Sequence, residues 1–163
     1  MRRLLICFVM FGFVIGSSFS AWAVSVGEPA PDFQSKTLEG KDFRLSDYKG
    51  EPIVLKVGTT WCPTCRAQTV ALDSLHQYMA SEGVRFVDVF IDESDVSVRK
   101  YFNKGGYHRP SAIILDEGSA YKAYNIYVIP RLVLIDKEFK VVRDGDAVPA
   151  PRLKKMLTKM LGE

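Results

Sequence analysis

Histidine and cysteine are both scarce in this chain of 163 residues. It contains two histidines, His76 and His108, and three cysteines. A structural zinc site takes four ligands, commonly from two closely spaced pairs, and the sequence has no second cysteine pair. The two histidines also look isolated in the sequence. We therefore expect no metal centre.

An excess of charge is absent as well. The chain has 22 basic and 19 acidic side chains; its first 23 residues hold two arginines and no acidic residue, so the remainder carries 20 and 19. With so little net charge, there is no electrostatic reason to expect nucleic acid or an anionic membrane surface as a partner. The roughly 140 residues after this segment suit one domain with a sizeable core.

The first 23 residues have the pattern of a secretory signal peptide. Two arginines at the start are followed by an apolar stretch (4–19) and by the small-residue site Ala21-Trp22-Ala23. Cleavage there would leave residues 24–163 as one exported, periplasmic domain and would remove Cys7. The alternative is an uncleaved anchor that holds the protein at the membrane facing the periplasm; a membrane is a partner only in that case.

Two cysteines separated by two residues, in the run Trp61-Cys62-Pro63-Thr64-Cys65, carry most of the functional information. The run follows an apolar strand pattern (53–57) and begins a helix pattern. Cys62 is thus predicted at a helix N-terminus, where free N–H groups and the helix dipole stabilise a thiolate. Pro63 suits the first helical turn because its missing N–H is not needed there. A bridge across two residues constrains little chain entropy, so we expect a redox dithiol in which Cys62 attacks and Cys65 resolves.

Strand and helix patterns alternate along the chain. Short alternating or apolar runs predict strands at 33–35, 42–45, 53–57, 84–91, 112–115, 132–135 and 139–142, with a loop at 144–146. Helical spacing predicts helices from Pro63 to about Gly83, at 92–104, at 119–124 and from Pro151 onward. This order predicts an α/β fold with a central mixed sheet flanked by helices.

Several stretches resemble thioredoxin-fold proteins of the TlpA/ResA type, exported thiol-disulfide oxidoreductases that include cytochrome c maturation reductants. They are residues 26–33, 45–50, 58–66, 129–130 and 132–136. The resemblance implies a thioredoxin fold with an N-terminal β-hairpin extension and an inserted αβ unit. It implies no cofactor other than a redox-active Cys62–Cys65 disulfide. It also implies protein thiols and disulfides as partners, an upstream membrane electron donor, and a monomer.

The same resemblance assigns roles near the cysteines. It implies a cis peptide bond between Ile129 and Pro130 that faces the Cys pair. The Ile129 backbone, with Arg131 beside it, would then bind an extended segment of a partner; an ordinary proline at a strand start is the alternative. Trp61, predicted to be exposed, and the Thr64 hydroxyl complete the site. Because Thr64 adds no positive charge to the attacking thiol, we expect a reductant of protein disulfides rather than an extreme oxidant.

Four positions depart from the family pattern. Gln68 stands where reductants often carry a Glu that can exchange a proton with the resolving thiol. Arg131 follows the proline where Thr is common, and Phe139 occupies a turn position that is often Gly. Lys56 replaces Asp or Asn beneath the Cys pair. We hypothesise that a partly neutral Lys56 amine takes the Cys65 proton, or that a charged one holds Cys65 as thiolate. The alternative is a packing lysine whose head reaches water.

Two other functions fit parts of the pattern. A peroxiredoxin-like peroxidase would explain Thr59, three residues before Cys62, although Leu55 stands where that family has proline. A copper metallochaperone on the same fold would use the two thiolates, but such relatives space their cysteines by three and add a histidine. His108, in a Gly-rich stretch, fits an exposed loop better than a ligand, and His76 fits the surface of a helix.

Overall fold

The computed structural model describes residues 24–162. The predicted signal segment, its cleavage site and Cys7 lie outside the described residues, so the statements about them stay predictions. Between residues 24 and 162, no helix is both long and apolar enough to cross a membrane.

One sheet organises the described part of the chain. Its strands are β1 (Gln34–Thr37), β2 (Asp42–Arg44), β3 (Ile53–Gly58), β4 (Arg85–Ile91), β5 (Ala112–Asp116), β6 (Arg131–Ile135) and β7 (Val141–Gly145). The helices are α1 (Pro63–Asp73), α2 (His76–Ser81), α3 (Asp95–Gly105), α4 (Ser119–Ala123) and α5 (Ala150–Leu161), with a short 3-10 helix at Leu45–Tyr48. The alternation confirms the predicted α/β class.

The strand order across the sheet is β2-β1-β5-β4-β3-β6-β7. β4 lies at the centre and runs parallel to β3 on one side and β5 on the other. β6 pairs antiparallel with β3, and the β1–β2 hairpin joins the opposite edge through β5. The sheet is therefore mixed and carries the predicted hairpin extension. α3 and β5, between β4 and α4, supply the inserted αβ unit.

Strand β3, next to β4, is buried along its whole length, and its side chains pack into core clusters on both faces of the sheet. Leu55 and Val57 pack into the cluster on one face of the sheet. Val54 packs on the other face with Leu72 of α1. Because successive strand side chains point to opposite faces, Lys56 comes off the same face as Val54 and lies beneath α1.

The single helix predicted after Pro63 is divided into α1 and α2. Ser74 donates its hydroxyl to the Ala71 carbonyl over 2.8 Å at the end of α1. Leu75 then leaves helical geometry, with φ −105° and ψ 7°. Leu75 remains buried with the apolar positions of both helices. The apolar spacing thus continues through the break, which explains why the sequence pattern shows one helix.

The last hairpin is shifted from its predicted position. Its second strand begins at Val141 and runs through Asp144 and Gly145, which were predicted to form a loop. Phe139 lies in the turn, with φ +62°, and its N–H donates to the Asp136 carbonyl over 3.0 Å. A left-handed conformation costs a non-glycine residue roughly 1–2 kcal/mol. Burial of a Phe ring returns about 1.5–3 kcal/mol, and the Phe139 ring is buried, which accounts for Phe where glycine is common.

Candidate active site

The sheet brings the Cys motif and the predicted proline loop together. β3 ends at Gly58, and the chain reaches Cys62 four residues later, at the start of α1. Val57 of β3 pairs with Arg131, the first residue of β6. Pro130, directly before Arg131, therefore lies beside the end of β3, from which the Cys motif emerges. The peptide bond between Ile129 and Pro130 is cis, as predicted.

Cys62 is the N-cap residue of α1, and its sulfur is surrounded by donors. The Cys65 backbone N–H donates to Cys62 Sγ over 3.2 Å, and the Thr64 hydroxyl lies 3.2 Å from the same sulfur. Burial alone would raise the pKa of Cys62, but the hydrogen bonds with Cys65 and Thr64 outweigh it, so the pKa falls below its ordinary value. The predicted N-terminal position of Cys62 and the predicted contact with Thr64 are both confirmed.

Cys65 lies one turn into α1 in a different environment. Its side chain is fully buried. Burial and the hydrogen bond to Cys62 raise the pKa of Cys65 to about 12, although the Thr59 backbone N–H and the charge of Lys56 work in the opposite direction. Both cysteines are free thiols here. At neutral pH, Cys62 is thus the better nucleophile and Cys65 keeps its proton, which is the asymmetry expected of an attacking and a resolving thiol.

Gly58 gives Cys65 the space that it occupies. A Cβ on Gly58 would stand 2.9 Å from Cys65 Sγ and 3.2 Å from Cys65 Cβ, closer than side chains normally approach. The same point lies 3.6 Å from Lys56 Cε. The Cys65 sulfur and the Lys56 side chain therefore lie side by side over the end of β3. Sequence reasoning did not assign a role to Gly58, because its requirement arises from a contact between two separate elements.

Lys56 is buried beneath the Cys pair, with no exposed side-chain surface. Its ammonium donates to Asp88 Oδ1 at 2.8 Å, to Asp88 Oδ2 at 3.0 Å and to Thr69 Oγ1 at 2.9 Å. Thr69 in turn donates to the Cys65 carbonyl over 3.2 Å. The alternative in which the head of Lys56 reaches water is wrong. Three acceptor oxygens thus surround the head group and match its three N–H donors.

Gln68 and Thr59 also lie close to Cys65. Gln68 is buried, and its Oε1 accepts from the Val148 N–H over 2.6 Å, which ties α1 to the loop before α5. Among the described residues, neither Gln68 Nε2 nor Thr59 Oγ1 has a hydrogen-bond partner. The amide of Gln68 cannot supply or accept a proton as a carboxyl group would. The Thr59 N–H is directed at Cys65, and the Thr59 hydroxyl makes no hydrogen bond to Cys62, which weighs against the peroxidase alternative.

Three large apolar side chains are exposed around the attacking cysteine and the proline loop. Trp61 is 68% exposed, as predicted, and Tyr127 and Val128 are 84% and 60% exposed. Tyr127 and Val128 directly precede Ile129 and Pro130. They were not predicted as site residues, although two apolar residues outside any strand, next to the proline, are a visible signal. Exposed apolar residues beside a reactive thiol favour contact with a protein partner.

Arg131 is engaged within the protein. Its Nη2 donates to Asp144 Oδ2 over 2.6 Å and its Nε donates to Asp144 Oδ1, across the β6–β7 pair. The Asp144 carboxylate accordingly raises the pKa of Arg131. A substrate-binding role for Arg131 stays a prediction, in which its guanidinium would have to act while it is paired with Asp144.

Loop residue Glu93 was not predicted as part of the site. Its carboxylate accepts hydrogen bonds from the Thr60 N–H at 2.7 Å and from the Thr60 hydroxyl at 2.6 Å, which holds in place the chain segment that leads into the Cys motif.

The two histidines are not isolated from each other. Their rings stack with centroids 3.4 Å apart, and His108 Nδ1 lies 3.0 Å from Asp73 Oδ1 at the end of α1. Asp73 follows Cys62 by 11 residues, and α1 rises about 1.5 Å per residue, so His108 is roughly 16 Å from Cys62. His108 therefore does not complete a copper site with Cys62. Between residues 24 and 162, no group of three or more metal-ligating side chains is assembled.

Comparison with known proteins agrees with this geometry. The family model described as Redoxin matches residues 25–158. The chain belongs to the redoxin family. Over 141 residues this redoxin is 33% identical to the thiol-disulfide oxidoreductase ResA of Geobacillus kaustophilus (strain HTA426), a match that covers 85% of this chain and 80% of the relative. ResA of Bacillus subtilis (strain 168) is 30% identical over 143 residues, covering 86% and 79%.

Solved structures extend the comparison to the fold. A thiol:disulfide interchange protein of the thioredoxin family from Chlorobium tepidum TLS superposes with a TM-score of 0.73 at 26% identity. That match covers 82% of this chain and 96% of the other. This redoxin is thus a ResA-like protein with the thioredoxin fold, and it is a thiol-disulfide oxidoreductase, as the Cys motif predicted.

Proposed function

We propose that this redoxin is an exported reductant of protein disulfides that works through Cys62 and Cys65, for example in cytochrome c maturation. The observation that carries the proposal is the contrast between the two thiols. Cys62 has a lowered pKa at a helix N-terminus, whereas burial raises the pKa of Cys65 to about 12. A thiolate that attacks first and a protonated thiol that acts second suit ordered exchange with a partner.

The proposed reaction transfers two electrons in two steps. The Cys62 thiolate attacks one sulfur of a partner disulfide, and the other partner sulfur leaves as a thiolate that takes up a proton. Cys65 then loses its proton to solvent and attacks Cys62 Sγ, and the second partner sulfur leaves as a thiolate that takes up a proton. The partner ends as a dithiol and this protein as a Cys62–Cys65 disulfide. A further dithiol donor, which we propose to be membrane-bound, must reduce that disulfide before the next cycle.

The surroundings of Cys62 support a reductant. Strong oxidants stabilise their reduced form through a very low thiolate pKa. Here the Cys62 sulfur meets a backbone N–H and the Thr64 hydroxyl, both uncharged. Known dithiol proteins span roughly −270 to −120 mV, and this environment favours the reducing end. Export through the N-terminal segment and its cleavage after Ala23 belong to the same proposal and rest on the signal-peptide pattern of residues 1–23. The membrane donor and the monomeric state also belong to it and rest on the family resemblance.

Two measurements test the proposal. Equilibration of the full chain with glutathione or dithiothreitol buffers gives the potential of the Cys62–Cys65 pair, expected below about −200 mV on the scale of known dithiol proteins. A potential near the oxidising end would reverse the proposed direction of electron flow. In cells of the source organism, a Cys65→Ser variant should accumulate mixed disulfides that reductant dissolves, with Cys62→Ser as the matched control. Adducts on the Cys62→Ser variant instead would reverse the roles of the two thiols.

A further inference from the structure

A groove lined by basic side chains opens beside the Cys motif. It has a volume of about 430 Å³ and runs between α1 and α3. Arg66 of α1 lines one side, and Lys100 and Lys104 of α3 line the other. Thr60, two residues before Cys62, also lines it, so the groove begins next to the attacking thiol.

The three cations of this groove are available to a ligand. Each is exposed. Among the described residues none of the three has an ion-pair partner within 4.0 Å, whereas Arg99 on the same helix pairs with Asp95. The nearby carboxylate of Glu93 accepts two hydrogen bonds from Thr60 and does not pair with any of the three cations.

The floor of the groove is aromatic. Tyr101 and Tyr107 line the groove, with ring centroids 5.2 Å apart, and Tyr101 also packs against Phe90 and Phe102 in the core. These rings are held by contacts that do not depend on a ligand. The groove is therefore a preformed surface with a fixed floor and a basic rim.

From this arrangement we infer that the groove binds an acidic, extended segment of the partner whose disulfide is exchanged; this rests on the function proposed above. Lys100 and Lys104 are four positions apart on one helix, which sets their Cβ atoms about 6 Å apart. Alternate residues of an extended chain lie about 6.8 Å apart on one face. Two acidic residues at alternate positions near the partner cysteine thus match the two lysines, and Arg66 faces them from α1.

Charge in the groove acts on association rather than on the thiol chemistry. Opposite charges on two surfaces raise the encounter rate by about 10–10³-fold at low salt. The effect weakens as the Debye length falls from about 10 Å at 0.1 M salt to about 3 Å at 1 M. The groove therefore selects among disulfides by the charge of the chain around them.

The test uses two synthetic peptides that differ only in charge. Each has one cysteine blocked as a 2-thiopyridyl disulfide, flanked on both sides by alternating Glu in one peptide and alternating Gln in the other. The Cys62 thiolate attacks the peptide sulfur and releases pyridine-2-thione, whose absorbance gives the rate. The reduced full chain is expected to react about tenfold faster with the Glu peptide at low salt, and equally with both at about 1 M salt.

Variants locate the preference. Lys100→Glu/Lys104→Glu should lose the preference for the Glu peptide and should favour a matched Lys peptide. Lys155→Glu/Lys159→Glu, the same charge change on α5 away from the groove, should keep the original preference. A loss of equal size in the α5 variant would overturn the inference, because net charge rather than the groove would then decide. So would equal rates for the Glu and Gln peptides at low salt.

A small uncharged disulfide separates this inference from the proposed function. Hydroxyethyl 2-pyridyl disulfide should react with the wild type and with both double variants at the same rate, which also shows that the variants are folded. If the wild type fails with this reagent, thiol exchange by Cys62 is wrong. If it succeeds and the peptides are not distinguished, only the groove inference fails. Lysine-dependent binding to anionic lipid vesicles without a peptide preference would likewise overturn it.

Discussion

Lys56 and Asp88 form an ion pair that is completely buried beneath the Cys motif. Lys56 Nζ lies 2.8 Å from Asp88 Oδ1, and neither side chain is exposed. They come from directly paired positions of β3 and β4. The ring of Phe90 lies 4.9 Å from the ammonium and closes the site from the side. Burial raises the pKa of Asp88 and Lys56 opposes that rise, so the carboxylate depends on its partner.

The charge of Lys56 is expected to help Cys65 act as the resolving thiol. Lys56 lowers the pKa of Cys65 against the larger effect of burial, and it is not among the groups that shift Cys62. Lys56→Met keeps the length of the side chain and removes the charge. We expect a higher Cys65 pKa and slower release of a partner from a preformed mixed disulfide, with little change in attack by Cys62. Stopped-flow release rates measured against pH check this.

The exposed Lys36→Met variant is the control for loss of one positive charge. Identical release rates and pH profiles for Lys56→Met and the wild type would leave Lys56 as a packing residue. A change of equal size in Lys36→Met would show an effect of overall charge instead.

Breaking the Lys56–Asp88 pair is also expected to lower the free energy of unfolding of the protein. Removal of one partner leaves an uncompensated buried charge, which costs about 3–5 kcal/mol, whereas replacement of both by apolar groups is often neutral. Lys56→Met and Asp88→Leu should each destabilise the protein by about that amount, and the double variant should recover most of it. Urea unfolding at constant pH gives the coupling energy. The exposed pair Lys36–Asp42 is the control, with an expected coupling of about 0–1 kcal/mol.

The sequence predicts those features that are local in the chain. The position of Cys62 follows from a strand pattern, a Pro at the first helical turn and a helix pattern within about fifteen residues. The cis bond before Pro130 follows from the family resemblance. The mixed sheet follows from the order of elements, since parallel neighbours require a crossover.

The features that sequence reasoning missed depend on contacts between distant segments. Asp88 lies in a nearly continuous apolar run, and the run gives no sign that its carboxylate would meet a lysine 32 residues earlier. His76 and His108 stack because a loop after α3 folds back onto the end of α1. The space above Gly58 is filled by the side chain of Cys65, which belongs to α1. Patterns of hydropathy describe which face is buried, but they carry no information about which polar groups meet there.

The Thr64 hydroxyl is expected to set part of the reactivity of Cys62. Hydrogen bonds from Cys65 and Thr64 lower the Cys62 pKa despite burial. Thr64→Val keeps the shape and removes the hydroxyl, so the Cys62 pKa should rise toward its ordinary value. Because the thiolate is the nucleophile, the alkylation rate at neutral pH should fall.

Iodoacetamide alkylation against pH measures this shift. Thr64→Ser, which retains a hydroxyl, should restore the wild-type curve. If Thr64→Val and the wild type titrate together, the hydrogen bonds from the thiol and the backbone N–H of Cys65 account for the lowered pKa without Thr64.

Phe139 is expected to stabilise the protein in spite of its left-handed backbone. Its φ is +62° and its ring is buried, with Lys49 Nζ 5.0 Å from the ring centroid. Phe139→Gly removes the backbone cost but also the ring, and loss of a buried Phe costs about 3–5 kcal/mol. We expect a net destabilisation of about 1–4 kcal/mol in urea unfolding, from that value and the backbone cost. Phe139→Ala, which loses the ring and keeps the backbone cost, should be less stable than Phe139→Gly.

Gly58 is expected to be required by Cys65 rather than by its own backbone. A methyl group there would stand 2.9 Å from Cys65 Sγ, and α1 holds Cys65 in place. Overpacking of this kind costs about 1–3 kcal/mol. Gly58→Ala should therefore destabilise the reduced protein by that amount and should slow resolution of mixed disulfides, because the Cys65 sulfur is displaced from Cys62.

In a Cys65→Ala background the same Gly58→Ala change should cost clearly less stability, since the sulfur is gone. Gly145→Ala is the control: its nearest neighbour would be Arg143 Nη2 at 3.3 Å, so a shift of a few tenths of an ångström is enough to accommodate the methyl group. An equal cost of Gly58→Ala with and without the Cys65 sulfur would mean that the strand backbone, not the thiol, requires glycine.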